Sequence, residues 1–219
     1  MKQQHVPLAR EGYPFIALAG FFTFILALTG PIVLALVGLI VTVFIIYFFR
    51  DPARVTPNDP EAVICPADGK VICIKEIEDD RFFTGKSLKI SIFMNIFNVH
   101  VNRIPLTGTV RNVSFKPGKF YSADKDKAAL HNEYCAVSLV TAAGIPYTVV
   151  QVAGLIARRI VCRAEHNDKV AAGERYGLIR FGSRVDLYLP PGTRAEVDLQ
   201  KHVRAGETIL ARLAEKQNS

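Results

Sequence analysis

The sequence predicts a mainly β protein: a compact β-rich, sandwich- or barrel-like domain behind an N-terminal membrane-associated helical hairpin. Three observations carry this reading. From Tyr13 to Phe49 the chain runs 37 residues without a charged side chain. Beyond residue 60 the apolar residues come in many short runs, several alternating with period two and bounded by glycine or proline, as in all-β domains. The full length of 219 residues, 50% of them hydrophobic, suits one domain of the usual size of about 100–200 residues plus an apolar appendage.

The apolar run cannot be one straight helix. At 1.5 Å per residue it would measure roughly 55 Å, against a hydrocarbon core of about 30 Å. Gly30-Pro31 is the expected break, because proline removes a helix donor and disfavours helix at the residue before it. The two limbs, 15–29 and 32–49, are each close to the shortest length that spans a bilayer. Lys2 and Arg10 precede the run while Arg50 and Arg54 follow it, and only a hairpin keeps both basic flanks on the cytoplasmic side. A cleavable signal peptide fits poorly, since the run is far longer than an ordinary h-region.

Residues 50–60, with three prolines, read as a linker between the hairpin, 1–49, and a domain of 61–219. Short strands are expected at 62–64 and 71–74. Residues 88–93 alternate cleanly, Leu88, Ile90 and Ile92 on one face and Lys89 and Ser91 on the other. Residues 134–141 and 147–152 read as a hairpin across Gly144, with Cys135, Val137 and Leu139 facing one way. The pattern marks further strands at 178–181, 185–189, 196–199 and 207–210, the last two joined through Ala205-Gly206. Residues 122–130 are lysine-rich and read as an exposed loop or helix, and 153–162 is ambiguous between strand and short helix.

The formal net charge of +7 points to an anionic partner, nucleic acid or a membrane surface. The basic residues are scattered without a block, which favours the membrane over nucleic acid. Cys65, Cys73, Cys135 and Cys162 are irregularly spaced in apolar context, with no paired motif for metal or redox chemistry, and read as reduced core thiols. No phosphate loop, dinucleotide fingerprint or G-x-S-x-G elbow is present.

One dipeptide breaks the strand pattern. Gly182-Ser183, flanked by Arg180 and Arg184, falls between two apolar runs that otherwise read as continuous strand. Glycine inside a strand marks a bend, a bulge or a close backbone approach. On these residues alone a bulge or hairpin turn with an incidental serine accounts for the pair. A strained glycine before a nucleophilic hydroxyl also suits attack of the serine on the preceding carbonyl.

The segment 174–190, ERYGLIRFGSRVDLYLP, read with PADGKV at 66–71, NVHVNRIP at 98–105, FFRDPAR at 48–54 and VRAGETILARL at 203–213, resembles the short form of the phosphatidylserine decarboxylases. The likeness covers nearly the whole chain. It implies a proenzyme that breaks between Gly182 and Ser183 into a β-chain, 1–182, and an α-chain, 183–219. Ser183 would become a pyruvoyl group, the cofactor for decarboxylating phosphatidylserine, with no metal and no pyridoxal phosphate. It further implies a cell-membrane location, peripheral or monotopic, with the catalytic domain on the cytoplasmic side of an anionic membrane, no nucleic-acid partner, and leaves a homo-oligomer open.

The resemblance also marks site residues. Asp68 stands where the family's aspartate assists serine activation, although an aspartate in such a turn is common for local reasons. His100 matches the first histidine of the H-x-x-H found in longer relatives, and Arg103 stands where the second would be. His100 is therefore the expected general acid of the decarboxylation, and either it serves the cleavage as well or the cleavage uses a different base. Arg103, Arg158, Arg159, Arg180 and Arg184 are candidates for the substrate's phosphate or carboxylate, since guanidinium binds such groups bidentately. Two other readings remain beside this one: a non-enzymatic, lipoyl-like β domain on a membrane anchor, and a decarboxylase of another amino-acid-headed lipid.

Overall fold

The computed structural model describes residues 7–123, 131–154, 159–180 and 182–214. The chain forms two compact units, Met1–Ala53 and Arg54–Ser219. In the first, a single 3-10 turn at Arg10–Gly12 leads into α1, Tyr13–Thr29, and α2 follows at Ile32–Phe48. The break lies at Gly30-Pro31, with Gly30 extended (φ −105°, ψ 173°) and Pro31 preceding the first turn of α2. There its missing N–H costs no helix bond.

Each helix has 17 residues, about 25 Å at 1.5 Å per residue. The hairpin is fastened at its ends by backbone: the Ala9 N–H donates to the Phe49 carbonyl at 2.8 Å and the Asp51 N–H to the Pro7 carbonyl at 2.7 Å. Between the helices the Thr23 and Thr42 hydroxyls meet at 3.0 Å. No residue of α1 is buried, and Phe24, Leu28 and Ile40 leave more than 60% of their surface open. A helix that is apolar on every side is suited to a protein core or a membrane. The stretch Arg10–Thr29 is long and apolar enough to cross a membrane.

The second unit is antiparallel β throughout its named strands. Its largest sheet has eight strands. In chain order these are β2 (Gly69–Asp79), β3 (Phe83–Met94), β5 (Gly108–Lys116), β6 (Tyr134–Val140), β7 (Pro146–Ala153), β9 (Lys169–Val170), β11 (Ser183–Leu189) and β13 (His202–Val203). They lie in the order β13-β2-β3-β11-β7-β6-β5-β9. Two three-stranded sheets complete the unit. One is β1 (Ala62–Ile64), β14 (Ile209–Arg212) and β12 (Arg194–Ala195); the other is β4 (Val101–Arg103), β10 (Arg175–Ile179) and β8 (Ile160–Cys162).

β11 is the middle of this arrangement. It pairs along its length with β3 on one side and β7 on the other, and all seven of its residues are buried. Val185, Leu187 and Leu189 enter the main core with Ile90, Ile92, Met94, Val149 and Ala153. Tyr188 faces the other way, into a smaller cluster with Phe82, Ala136, Val150 and Val152. Each such side chain, fully buried, contributes about 1.5–3 kcal/mol.

The 134–152 hairpin is as expected, with Cys135, Val137 and Leu139 in the main core and Ala136 on the other face. Elsewhere the structure departs from the pattern. Gly182 interrupts no single strand: β10 and β11 belong to different sheets, and the glycine is the corner between them. Residues 196–199 are not a strand. A turn carries Lys201 N–H back to the Asp198 carbonyl at 3.3 Å, with Gln200 at φ 68°, so that β13 can pair with β2. On β3 the face bearing Ser87, Lys89 and Ser91 is as buried as the aliphatic one. Of 122–130, Ala123 is buried at 2% exposure and 124–130 lies outside the described residues, as does 155–158 of the ambiguous segment, which ends in β8.

Because the two units have separate cores, a chain beginning at residue 50 is expected to fold and stay in solution without detergent, whereas the full chain should partition with membranes. Fractionation and a thermal melt of both chains test this. A truncated chain without a cooperative melt would show that the hairpin is part of the β unit's core.

Candidate active site

Gly182 adopts φ +61°, in the left-handed region that side chains other than glycine's rarely enter. A Cβ placed there would meet nothing within 4 Å, so conformation and not space demands the glycine. Ser183 then opens β11, opposite Met94 of β3 and Ala153 of β7. Its residue surface is fully buried, and its Oγ has no hydrogen-bond partner among the described residues. A hydroxyl buried without a partner costs about 1–3 kcal/mol. The corner holds a buried hydroxyl directly after a left-handed glycine.

The core face around Ser183 carries two further polar side chains. Gln151, opposite Val185, donates from Nε2 to Asn102 Oδ1 at 2.8 Å, and Asn102 Nδ2 reaches Met94 Sδ at 3.6 Å. Both amides are fully buried, and Gln151 Oε1 has no partner among the described residues. This pair links β4 of one sheet to β7 of another, close to the serine. Its signal in the sequence is the glutamine inside TVVQVA, a polar residue within an aliphatic run.

On the opposite face Arg184, Asp186 and Lys89 form a buried charge cluster. Arg184 Nε lies 2.8 Å from Asp186 Oδ1 and its Nη2 donates to Oδ2 at 2.9 Å, while Lys89 Nζ stands 3.2 Å from the same Oδ2. Arg184 Nη1 also donates to the Ala123 carbonyl at 3.3 Å. Lys89 sits over the Tyr188 ring. Burial first, and Asp186 next, push the Tyr188 hydroxyl far up, so it stays protonated. Arg184, expected among the substrate ligands, is built into the protein at 2% exposure.

His100 is 98% buried just before β4, and its Nδ1 is 2.9 Å from the Asn98 carbonyl. A carbonyl only accepts, so Nδ1 carries the proton and Nε2 is the basic nitrogen. The His100 carbonyl in turn accepts from the Ile179 N–H at 3.4 Å, which places the histidine beside the end of β10, four residues before Ser183. Asp68 is 9% exposed, with Oδ2 bound by Arg54 Nη2 and Oδ1 by the Ala205 N–H, both at 2.8 Å. Arg54 also reaches Glu207 at 3.1 Å. Asp68 precedes β2, and β3 separates β2 from β11, so two strand spacings of about 4.8 Å divide it from Ser183. Arg103, with Nη1 donating to the Gly173 carbonyl at 2.9 Å, packs with Arg54 against Gly206 in the Asp68 cluster.

The model of the family described as phosphatidylserine decarboxylase matches residues 41–211. The chain belongs to the phosphatidylserine decarboxylase family. It is 54% identical to the phosphatidylserine decarboxylase proenzyme of Desulfotalea psychrophila over 97% of this chain and all of the relative. The proenzyme of Geotalea uraniireducens is 49% identical over 96% of this chain and 98% of its own length. That of Burkholderia mallei is 46% identical over 99% and 100%. The chain is an enzyme of the decarboxylase class.

For the remaining expected residues of this decarboxylase the placement is mixed. Arg158 lies outside the described residues, as does Phe181 beside the Gly-Ser pair. Arg159 is exposed and Arg180 half-buried, joined by a 3.3 Å backbone bond from the Arg180 N–H to the Arg159 carbonyl. The four cysteines are free, Cys65 and Cys135 buried and Cys73 and Cys162 half-buried. Burial pushes the Cys65 thiol well above its ordinary range. Among the described residues no three His, Cys, Asp or Glu side chains are grouped to hold a metal ion.

The charge cluster behind Ser183 gives a direct test. Asp186→Asn removes the carboxylate shared by two buried cations and should lower unfolding free energy by about 3–5 kcal/mol, whereas replacing all three charges with apolar residues of similar volume should cost far less. Urea denaturation of both variants measures this. A loss of under about 1 kcal/mol in Asp186→Asn would show that the cluster is solvated and holds nothing.

Proposed function

We propose that the chain is a proenzyme that cleaves itself between Gly182 and Ser183, converts Ser183 to a pyruvoyl group, and decarboxylates phosphatidylserine to phosphatidylethanolamine and CO2. The observation that carries this reading is the corner itself: a left-handed glycine followed by a buried serine hydroxyl with no partner among the described residues. A buried hydroxyl with no hydrogen bond among the described residues, next to the Gly182 carbonyl in sequence, supports the attack that this reading requires. The relatives' shared description as proenzymes supports the same reading.

In the cleavage Ser183 Oγ attacks the Gly182 carbonyl carbon; the C–Oγ bond forms, the C–N bond breaks, and the amine takes the hydroxyl proton. A base then removes the Ser183 Cα proton, and the Oγ–Cβ bond breaks to release the Gly182 carboxylate. The dehydroalanine left on the α-chain takes up water and loses ammonia. The ketone so made supplies the electron sink for the substrate's amine-bearing carbon as CO2 leaves. His100, its proton fixed on Nδ1 by the Asn98 carbonyl, presents a basic Nε2 for these transfers. Asp68 acts on the cleavage from a carboxylate already held by Arg54 and the Ala205 N–H. Arg103 cannot replace His100 as a base, because guanidinium stays protonated.

The hairpin brings this chemistry to a lipid. Apolar on every side, with basic residues at both of its flanks, it inserts into an anionic cytoplasmic leaflet. The substrate need not leave the bilayer.

Two outcomes follow. Wild type should appear on a denaturing gel as two chains, 1–182 and 183–219, the second lighter by one ammonia than its serine-led form; Ser183→Ala should remain a single inactive chain. An active, uncleaved wild type with an intact Ser183 would end the proposal. In His100→Ala, loss of a proton-transfer group should slow both cleavage and turnover, each by about 10²–10⁴-fold. Cleavage followed by gel and CO2 release from vesicles together settle it, and normal rates for both would remove His100 from the mechanism.

A further inference from the structure

The geometry points to Gly154 as a positioning residue for the scissile carbonyl, required as glycine because the Gly182 carbonyl rests against its Cα; this rests on the self-cleavage reading above. The ladder between β7 and β11 ends at Ala153 opposite Ser183. Gly154 and Gly182 are the next residues outward on the two strands. A Cβ built on Gly154 would overlap the Gly182 carbonyl oxygen and lie 3.0 Å from the carbonyl carbon. Both are backbone atoms, with no side-chain rotation to relieve the overlap. The third neighbour, the Ala123 methyl at 3.4 Å, is an ordinary contact.

The demand for glycine at 154 comes from this neighbour alone. Its φ is not in the left-handed region, so an alanine there would be conformationally permitted and sterically refused. Gly182 shows the reverse, open space around an uncommon backbone. The two glycines divide one task. Gly182 lets the chain turn the corner between sheets, and Gly154 provides the flat backing that fixes where its carbonyl stops. Attack by Ser183 Oγ depends on that stop, because the hydroxyl must approach the face of a carbonyl whose peptide group is shared with the serine itself. Misplacement of reacting atoms by about 1 Å can cost about 10²-fold in rate.

A general disturbance of the core has to be told apart from displacement of this one carbonyl. Gly108 provides the control, since a Cβ there would lie 2.6 Å from the Val140 carbonyl oxygen and 3.1 Å from its carbon. That is the same kind of backbone clash, on β5, which β6 and β7 separate from β11. The experiment compares wild type, Gly154→Ala and Gly108→Ala by cleavage gel, thermal melt and treatment of the folded precursor with hydroxylamine, which cuts an ester but not an amide.

The expected result is a Gly154→Ala precursor that melts cooperatively, matures at least about 100-fold more slowly and yields no hydroxylamine fragment, because attack on the carbonyl is what fails. Gly108→Ala should lose thermal stability to a similar extent yet mature within about tenfold of wild type. Maturation of Gly154→Ala at the wild-type rate overturns the assignment. So does an accumulated ester that hydroxylamine cuts, since the carbonyl would then be correctly placed, and so does loss of the cooperative melt, which would make Gly154 a packing residue. Slowing of Gly108→Ala to the same degree also counts against it. A wild-type chain that never cleaves sinks the self-cleavage reading itself and takes the Gly154 role down with it, an outcome distinguished by needing no substitution.

Discussion

Pairing of β11 on both edges is the constraint on which the rest of this structure depends. A strand with seven buried residues, paired with β3 along all seven and with β7 along six, has no freedom to shift register without carrying its aliphatic face out of the core. Ser183 is the first residue of that strand. Its position is thereby fixed by the whole sheet, while the residue before it leaves the sheet altogether. The bond between Gly182 and Ser183 lies where a paired strand ends and a left-handed corner begins.

The buried charges serve the same end. Arg184 follows the serine and is clamped to Asp186, which also holds Lys89 from β3. Buried ion pairs are poor sources of net stability, because desolvation offsets the attraction. Here their effect is geometric: Arg184 Nη2 donates to Asp186 Oδ2, which also meets Lys89, so the charges tie the start of β11 to β3. Across the sheet, the Asn102–Gln151 amides occupy the core face beside Ser183. Two polar systems, one on each face, bracket a residue that itself makes no side-chain hydrogen bond among the described residues.

Asp68 illustrates how a local motif acquires a distant meaning. In PADG it is an ordinary turn aspartate. In the fold its two oxygens receive Arg54, from the segment that leads out of the hairpin, and the Ala205 N–H, from the turn between β13 and β14. Three parts of the chain remote in sequence meet at one carboxylate, with Arg103 packed beside them against Gly206. The arginine that stands in place of a second histidine is thus part of the framework around Asp68.

What the sequence by itself determined is whatever depends on neighbours along the chain. The uncharged run of 37 residues marks an apolar helical segment, Gly30-Pro31 breaks it because proline cannot continue a helix, and period-two alternation marks the 134–152 hairpin. The Gly-Ser pair was legible for the same reason, since a glycine within an aliphatic run is a local anomaly. Tertiary structure alone decided which sheet each strand joined. Residues 178–189 read as one interrupted strand because periodicity carries no record of partners, and only pairing of β10 with β4 and β8 and of β11 with β3 and β7 makes Gly182 a corner. The burial of Lys89 was likewise invisible, as a lysine on a polar face looks the same whether it meets water or Asp186. Gly154 shows the limit most plainly: nothing in its own conformation calls for glycine, and the reason lies in a carbonyl 28 residues further along the chain that folding brings against it.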